Sequence, residues 1–143
     1  KRLQKGVQMK AALITLFAAG ALFSSNGEAL FEKNCVSCHE KILSKKQTEE
    51  RWDRLKAPPM NEIIDRMRRM VNITGNDTDI QRHILILFMT DYLENPDVLI
   101  GLCDPVAFDQ FGTMPSFKNK LTKKEMQEVS EWVYDRFEEV GFK

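Results

Sequence analysis

The pentapeptide Cys35-Val36-Ser37-Cys38-His39 constrains this chain more than any other stretch of its sequence. Two cysteines three positions apart, followed directly by a histidine, are typical of the attachment site of a c-type haem. The spacing sets the two thiols about one helical turn apart, so that both reach the vinyl groups of one porphyrin. His39 then becomes the proximal ligand of the iron, and the other face of the iron is left to a second side chain.

Two other sites use a pair of cysteines at this spacing. A structural zinc site needs four ligands, and beyond the pentapeptide the chain offers only Cys103 and His83, at no zinc-finger spacing. A thioredoxin-like dithiol is expected beside a βαβ pattern, and the sequence contains no convincing strand pattern. Covalent haem is therefore the preferred interpretation.

The N-terminal residues have the pattern of a secretory signal peptide. Basic residues precede an apolar run over residues 11–23, and small and polar residues follow it. The run is shorter than the ~20 residues of a spanning helix, which makes a permanent membrane anchor the weaker alternative. We therefore expect residues 1–21 to be a signal peptide, with cleavage after Ala21 or as late as Ala29. Export to the periplasm follows, and haem c is attached in such compartments.

Charge and length narrow the classes of function further. The basic residues of the leader are Lys1, Arg2, Lys5 and Lys10, so residues 22–143 retain 17 of the 21 basic residues and all 21 acidic ones, a net charge of −4. This balance does not favour nucleic-acid binding. Contact with a membrane is expected only through respiratory partners or an uncleaved signal. Residues 22–143 are long enough for one domain.

The apolar periodicity and the capping signals predict an all-α chain. Four helices are expected: from about Ser25 into the pentapeptide, from Asn61 as N-cap to Gly75, from Asp77 or Thr78 to Glu94, and from the Thr122–Glu125 capping box to Gly141. The apolar segment 84–89 in the third of these predicts deep burial. Residues 40–57 are interpreted as a surface loop or a short helix.

Candidate site residues lie in two of the segments that connect these helices, one before the second predicted helix and one between the third and the last. Pro58 and Pro59 fix an extended backbone, and one of their carbonyls is a candidate acceptor for the spare N–H of His39. The alternative is that the two prolines only form a rigid turn. Residues 96–117 read as a long apolar loop that lies against the haem and contains Met114.

With these features together, the chain resembles the class I monohaem c-type cytochromes over roughly residues 27–140. In that family a glycine and an aromatic residue precede the haem motif, as Gly27 and Phe31 do here, and a Met-Pro pair precedes the last helix, as Met114-Pro115 does. The resemblance implies a small cytochrome c fold of about four to five helices around one covalent haem, with Gly27 where the first and last helices cross. It also implies that Met114 is the distal iron ligand. Met60, Met67, Met70 and Met89 are its competitors.

One departure from the family pattern concerns the separation of the two iron ligands. His39 and Met114 are farther apart in sequence than in compact bacterial members, and the excess falls in the second and third helices. A narrower similarity, to small periplasmic cytochromes of sulfur- or hydrogen-oxidising bacteria, is weak.

A carrier of electrons, rather than an enzyme, is the function that the resemblance implies. Both axial positions of the iron are then filled, and redox partners dock at the haem edge. A positive patch formed by Lys118, Lys120, Lys123 and Lys124 is the candidate docking surface. The alternatives are a haem enzyme or sensor subunit with a labile distal ligand, or a dimer joined through Cys103, although burial is the preferred interpretation of Cys103.

Overall fold

A computed structural model of the chain describes residues 26–73, 77–102 and 104–143. The described residues form α1 (Asn26–Asn34), α2 (Lys45–Arg51), a 3-10 turn (Trp52–Arg54), α3 (Met60–Met70), α4 (Thr78–Glu94), α5 (Pro105–Phe111) and α6 (Lys123–Phe137). None of them lies in a strand. The predicted all-α class is confirmed for this part of the chain. The short helices α2 and α5 come in addition to the four helices for which the sequence predicted start and end residues.

The helices with the clearest capping signals begin where the sequence places them. Asp77 caps α4, its side chain accepting hydrogen bonds from the backbone of Asp79 and Ile80. Thr122 and Glu125 form the predicted capping box at the start of α6. Both boundaries are fixed locally, because each cap satisfies N–H groups that the first helical turn leaves without a partner.

The short helices α2 and α5 both start at side-chain caps. Ser44 and Gln47 form a capping box at α2, so the short-helix alternative for residues 40–57 is the right one. The prediction that residues 96–117 are a continuous loop is wrong, because Asp104 caps α5 and Pro105 occupies its first turn. Proline is favoured there, since the N–H it lacks has no helical partner in a first turn.

Asn61 does not cap a helix, which corrects the predicted start of α3. The cap position is Pro59, and Asn61 is buried one residue inside the helix. Its side chain accepts a hydrogen bond from Leu43 N at 3.1 Å and donates to Leu43 O at 2.9 Å and Gly141 O at 3.0 Å. The amide therefore ties α3 to two distant loops.

The end of α3 also differs from its prediction. The helix stops at Met70 rather than continuing toward Gly75. Gln81 on α4 donates to the carbonyl oxygens of Arg68 at 3.0 Å and Val71 at 2.6 Å. A side chain from the next helix thus satisfies carbonyls that the helix end leaves open.

The segment 84–89 of α4 is only partly buried, against the prediction of deep burial. Leu85 and Ile86 lie in the core, whereas Ile84 is 39% and Leu87 55% exposed. One face of α4 packs against α6 and the opposite face is exposed to solvent. The presence of apolar residues on all sides of this segment therefore does not mean that all of them are buried.

The core is centred on α6, which contacts α1, α3 and α4. Tyr134 and Phe137 on α6 are fully buried, and Phe31 on α1 packs against them and against Trp132 at a ring-centroid distance of 5.0 Å. Gly27 lies where α1 meets α6, as the family resemblance implies. These contacts fix the direction in which α1 delivers the pentapeptide.

Two predictions fall outside the described residues: the signal peptide, and the burial or pairing of Cys103. None of the helices in the described part of the chain is long and apolar enough to cross a membrane.

Candidate functional site

The pentapeptide forms a helical turn that continues from α1. Cys35 N donates to Phe31 O at 2.8 Å, and the backbone N–H groups of Cys38 and His39 donate to Cys35 O at 3.1 and 2.9 Å. The turn directs Cys35, Cys38 and His39 toward one cavity, which all three line.

The cavity is predominantly apolar. Its volume of about 260 Å³ far exceeds the ~30 Å³ of one water molecule and lies just below the ~300 Å³ at which the range for small-molecule sites begins. Apolar side chains come from every helix except α2 and from the connecting segments, and they include Phe31, Met60, Ile63, Met67, Phe88, Met89, Leu93, Leu102, Ala107, Phe108, Phe111, Met114, Phe117, Val129 and Val133. Such a lining suits an apolar ligand.

His39 is held by one hydrogen bond to the backbone. Its Nδ1 lies 2.9 Å from the carbonyl oxygen of Pro58. Because a carbonyl only accepts, Nδ1 carries the hydrogen and Nε2 keeps its lone pair. Burial lowers the pKa of His39, and the bond to Pro58 opposes that effect. A neutral ring with Nδ1–H bound to a carbonyl is the form in which histidine binds a metal through Nε2.

Of the two prolines proposed as acceptors, Pro58 is the one whose carbonyl accepts the hydrogen bond from His39. Pro59 is buried and caps α3 instead.

The two cysteine thiols of the motif are free. Burial, with a smaller contribution from Cys38, raises the pKa of Cys35 to about 11. A redox-active dithiol needs a thiol whose pKa is lowered, so Cys35 lacks the reactivity of a thioredoxin-like nucleophile. Among the described residues, no group of three or more His, Cys, Asp or Glu side chains is placed to hold a metal ion.

Met114 reaches the same cavity from the connection between α5 and α6. Gly112, with φ of +69°, ends α5 and redirects the chain. Beyond Met114, Ser116 Oγ donates to Glu94 O at 2.6 Å and Phe117 N donates to Leu93 O at 2.8 Å. These bonds anchor the Met114 segment to the C-terminal end of α4. Of the competing methionines, Met60, Met67 and Met89 also line the cavity, and Met70 does not.

No protein-family model matches the chain, and no solved structure matches it. A protein of Aquifex aeolicus (strain VF5), which bears the name "Uncharacterized protein", is 30% identical over 137 residues. The match covers 90% of this chain and 85% of that protein. The chain belongs to the family of this Aquifex protein. The kinship extends over nearly the whole length of both members, and the relative's name states no activity.

In this member of the family, a polar cluster that sequence reasoning missed lies at the cavity wall. Arg66 Nε donates to Leu102 O at 3.0 Å, and Arg66 Nη1 pairs with Asp104 Oδ2 at 3.0 Å. Glu62, one turn before Arg66, also lines the cavity. The spacing of Glu62 and Arg66 on α3 was the available signal, but no sequence pattern brings Asp104 to them.

A second, open groove borders the motif on its solvent side. Cys38 is exposed and lines both this groove and the cavity. The charged residues of the groove are Lys41, Arg51, Arg54, Lys56 and Glu40. Two of its cations are already in ion pairs, Lys41 with Glu32 and Arg51 with Glu40.

The remaining candidates are not part of the cavity lining. His83 is exposed on α4 and is not part of the lining. Lys118, Lys120, Lys123 and Lys124 are all exposed. Lys120 lies over the Phe117 ring at 5.6 Å, and Lys124 pairs with Glu128 at 3.6 Å.

Proposed function

We propose that this protein is an electron carrier of the class I monohaem cytochrome c type. One haem c is attached through Cys35 and Cys38, and its iron is held by His39 and Met114. The observation that carries the proposal is that these four residues, from two distant stretches of the sequence, line one apolar cavity.

The residues present fit such a group. The thiols stand on one helical turn, the lining is apolar, and His39 is neutral with Nδ1 engaged by Pro58. When bound, haem supplies a one-electron carrier, and a methionine ligand raises its reduction potential.

The chain's own side chains have three tasks around this group. The Pro58 carbonyl orients His39 and fixes its tautomer. The apolar lining excludes water, which strengthens the effect of any nearby charge. The bonds of Ser116 and Phe117 to α4 hold the segment that supplies Met114. If His39 and Met114 both held the iron, a substrate would have to displace one of them in order to bind, which favours a carrier over an enzyme.

The proposed location is the periplasm, which rests on the signal-like residues 1–21. The proposed docking surface is the lysine patch (Lys118, Lys120, Lys123 and Lys124), which follows the cavity-lining residues Met114 and Phe117 in sequence. The groove beside Cys38 is the competing surface, but two of its cations are taken up by carboxylates of the same chain.

The ligand assignment is tested by expressing the protein with haem-maturation factors and comparing Met114→Ala with Met70→Ala. Met70 is a matched control, because it is 52% exposed and does not line the cavity. We expect the oxidised wild type and Met70→Ala to show the methionine–iron charge-transfer band, and Met114→Ala to lack it.

Two results would contradict this assignment. A band that survives in Met114→Ala would move the ligand to Met60, Met67 or Met89. Carbon monoxide binding by the reduced wild type would instead favour a haem enzyme or sensor with a labile distal ligand.

A further inference from the structure

Glu62 is an acidic residue in the wall of the predominantly apolar cavity. It lies in the first turn of α3 and lines the same space as His39 and Met114. Its Oε2 atom is buried and has no hydrogen-bond partner. A buried carboxylate oxygen without a partner is costly, and such atoms call for a physical explanation.

The charges around Glu62 oppose one another. The groups that act on its carboxyl are Arg66, Asp104, Arg69 and Asp65, and Lys56 is a further cation of the cavity wall. Arg66 is divided between two acids, since its Nη1 is 3.0 Å from Asp104 Oδ2. Asp65 and Arg69 pair with each other at 3.0 Å.

Burial dominates the balance at Glu62. It raises the pKa of the carboxyl above its ordinary value, and the positive charge of Arg66 opposes that rise. The helix N-terminus also favours the ionised form. Burial thus favours the protonated form of Glu62, whereas Arg66 and the helix N-terminus favour its ionised form. The proposed function places the haem iron, whose charge changes by one unit on reduction, in the same cavity.

We propose that Glu62 takes up a proton from solvent when the haem iron gains an electron, and that it thereby makes the reduction potential of the protein depend on pH. The inference rests on the proposed function. Glu62 would not bind the iron. The charge of its carboxylate would act on the iron electrostatically, across the cavity.

The direction follows from charge balance. A one-electron reductant adds one negative charge to the cavity, and one proton from solvent, bound at the Glu62 carboxylate, removes one negative charge beside it. The carboxyl binds its proton more tightly in the reduced protein than in the oxidised protein. The potential therefore falls as pH rises between the two pKa values, and each tenfold difference in proton affinity corresponds to about 59 mV.

The test is redox titration of the haem-loaded protein at a series of pH values. The wild type is compared with Glu62→Gln, which keeps the size of the side chain but cannot titrate, and with Asp65→Asn on the same helix. Asp65 is a matched control, because its carboxyl does not line the cavity. We expect the potential of the wild type and of Asp65→Asn to fall with pH, and that of Glu62→Gln to stay near the low-pH value of the wild type.

A second readout does not depend on the potential. Infrared difference spectra between the reduced and oxidised states should show the carbonyl band of a protonated carboxyl in the reduced wild type. Glu62→Gln should lack this band. The carboxyl groups of the haem remain in both proteins, so any slope or band common to both belongs to them.

Failure of the inference and failure of the proposed function are distinguishable. A wild-type protein that carries haem by intact mass and has a pH-independent potential would overturn the role of Glu62 alone. A slope retained in full by Glu62→Gln would do the same. A mass without haem would overturn the proposed function and this inference with it.

Discussion

Gly27 on α1 lies directly against the backbone of Glu128 on α6. A Cβ atom at Gly27 would stand 2.4 Å from the Glu128 carbonyl oxygen and 2.5 Å from Trp132 Cβ. Asn26, the preceding residue, donates a hydrogen bond to the Glu128 carboxylate. Only a glycine allows this approach, because it has no Cβ atom. The contact between the two helices therefore depends on Gly27, and so does the direction in which α1 leads into the pentapeptide.

Gly27→Ala should therefore destabilise the fold. The methyl group would meet backbone and a Cβ atom, which cannot rotate away, and overpacking of this kind costs about 1–3 kcal/mol. The free energy of unfolding from denaturant titration measures the effect. Ala29→Ser, at an exposed position of the same helix, is the control and should change it little. Equal stability of Gly27→Ala and wild type would contradict the described α1–α6 contact.

Asn61→Ala should also lower the free energy of unfolding. The amide of Asn61 satisfies the backbone N–H and C=O of Leu43 and the C=O of Gly141. Groups left without a partner in a buried place cost about 1–3 kcal/mol. Asn72→Ala, at an exposed site, is the matched substitution. If both variants unfold at the same denaturant concentration, Asn61 does not tie α3 to these loops.

The capping box of α6 predicts a pH dependence of stability. The backbone N–H of Thr122, and then its hydroxyl, hydrogen-bond Glu125 and lower the pKa of the carboxyl. A pKa that is lower in the folded state gives stability that is present above the unfolded pKa and lost as pH falls through the folded pKa.

Glu125→Ala should thus be less stable than wild type at neutral pH, and the difference should shrink as the medium is acidified. Thermal unfolding at a series of pH values measures it, with Gln127→Ala, exposed on the same helix, as the control. A difference that stays constant into strong acid would mean that the ionised carboxylate does not contribute.

The proposed docking surface predicts how charged oxidants would react with the reduced, haem-loaded protein. Lys118→Glu combined with Lys120→Glu should slow oxidation by ferricyanide, an anion, severalfold, and the wild-type rate should fall with ionic strength. The matched pair is Arg51→Glu with Arg54→Glu, since both residues line the groove beside Cys38 and neither lines the cavity. Slowing by the groove pair alone would move the docking surface to Cys38.

Sequence patterns predicted the helices whose ends are fixed locally. α4 and α6 begin at Asp77 and Thr122 as expected, because an N-cap requires only neighbours within one turn. The caps of α2 and α5, Ser44 and Asp104, were equally visible. A cap alone does not predict these two helices, because a helix of seven residues has little stability of its own and depends on packing that periodicity does not reveal.

The candidate site was predictable to the extent that it is one motif and one partner residue. The pentapeptide and Met114 could be named from sequence, whereas the choice of Pro58 over Pro59 depended on the position of the α3 cap. The cluster of Glu62, Arg66 and Asp104 was not predictable, since α3 and the α5 cap meet only in the folded chain. The exposure of Leu87 likewise depends on which face of α4 meets α6.

The most direct test of the central claim is the intact mass of the protein produced with haem-maturation factors, measured after denaturation. We predict the mass of the mature chain plus one haem for the wild type. The variant that combines Cys35→Ala with Cys38→Ala should carry no covalent haem. His83 lies outside the cavity lining, so His83→Ala should carry one haem, as the wild type does. A wild-type mass equal to that of the polypeptide alone would contradict the account.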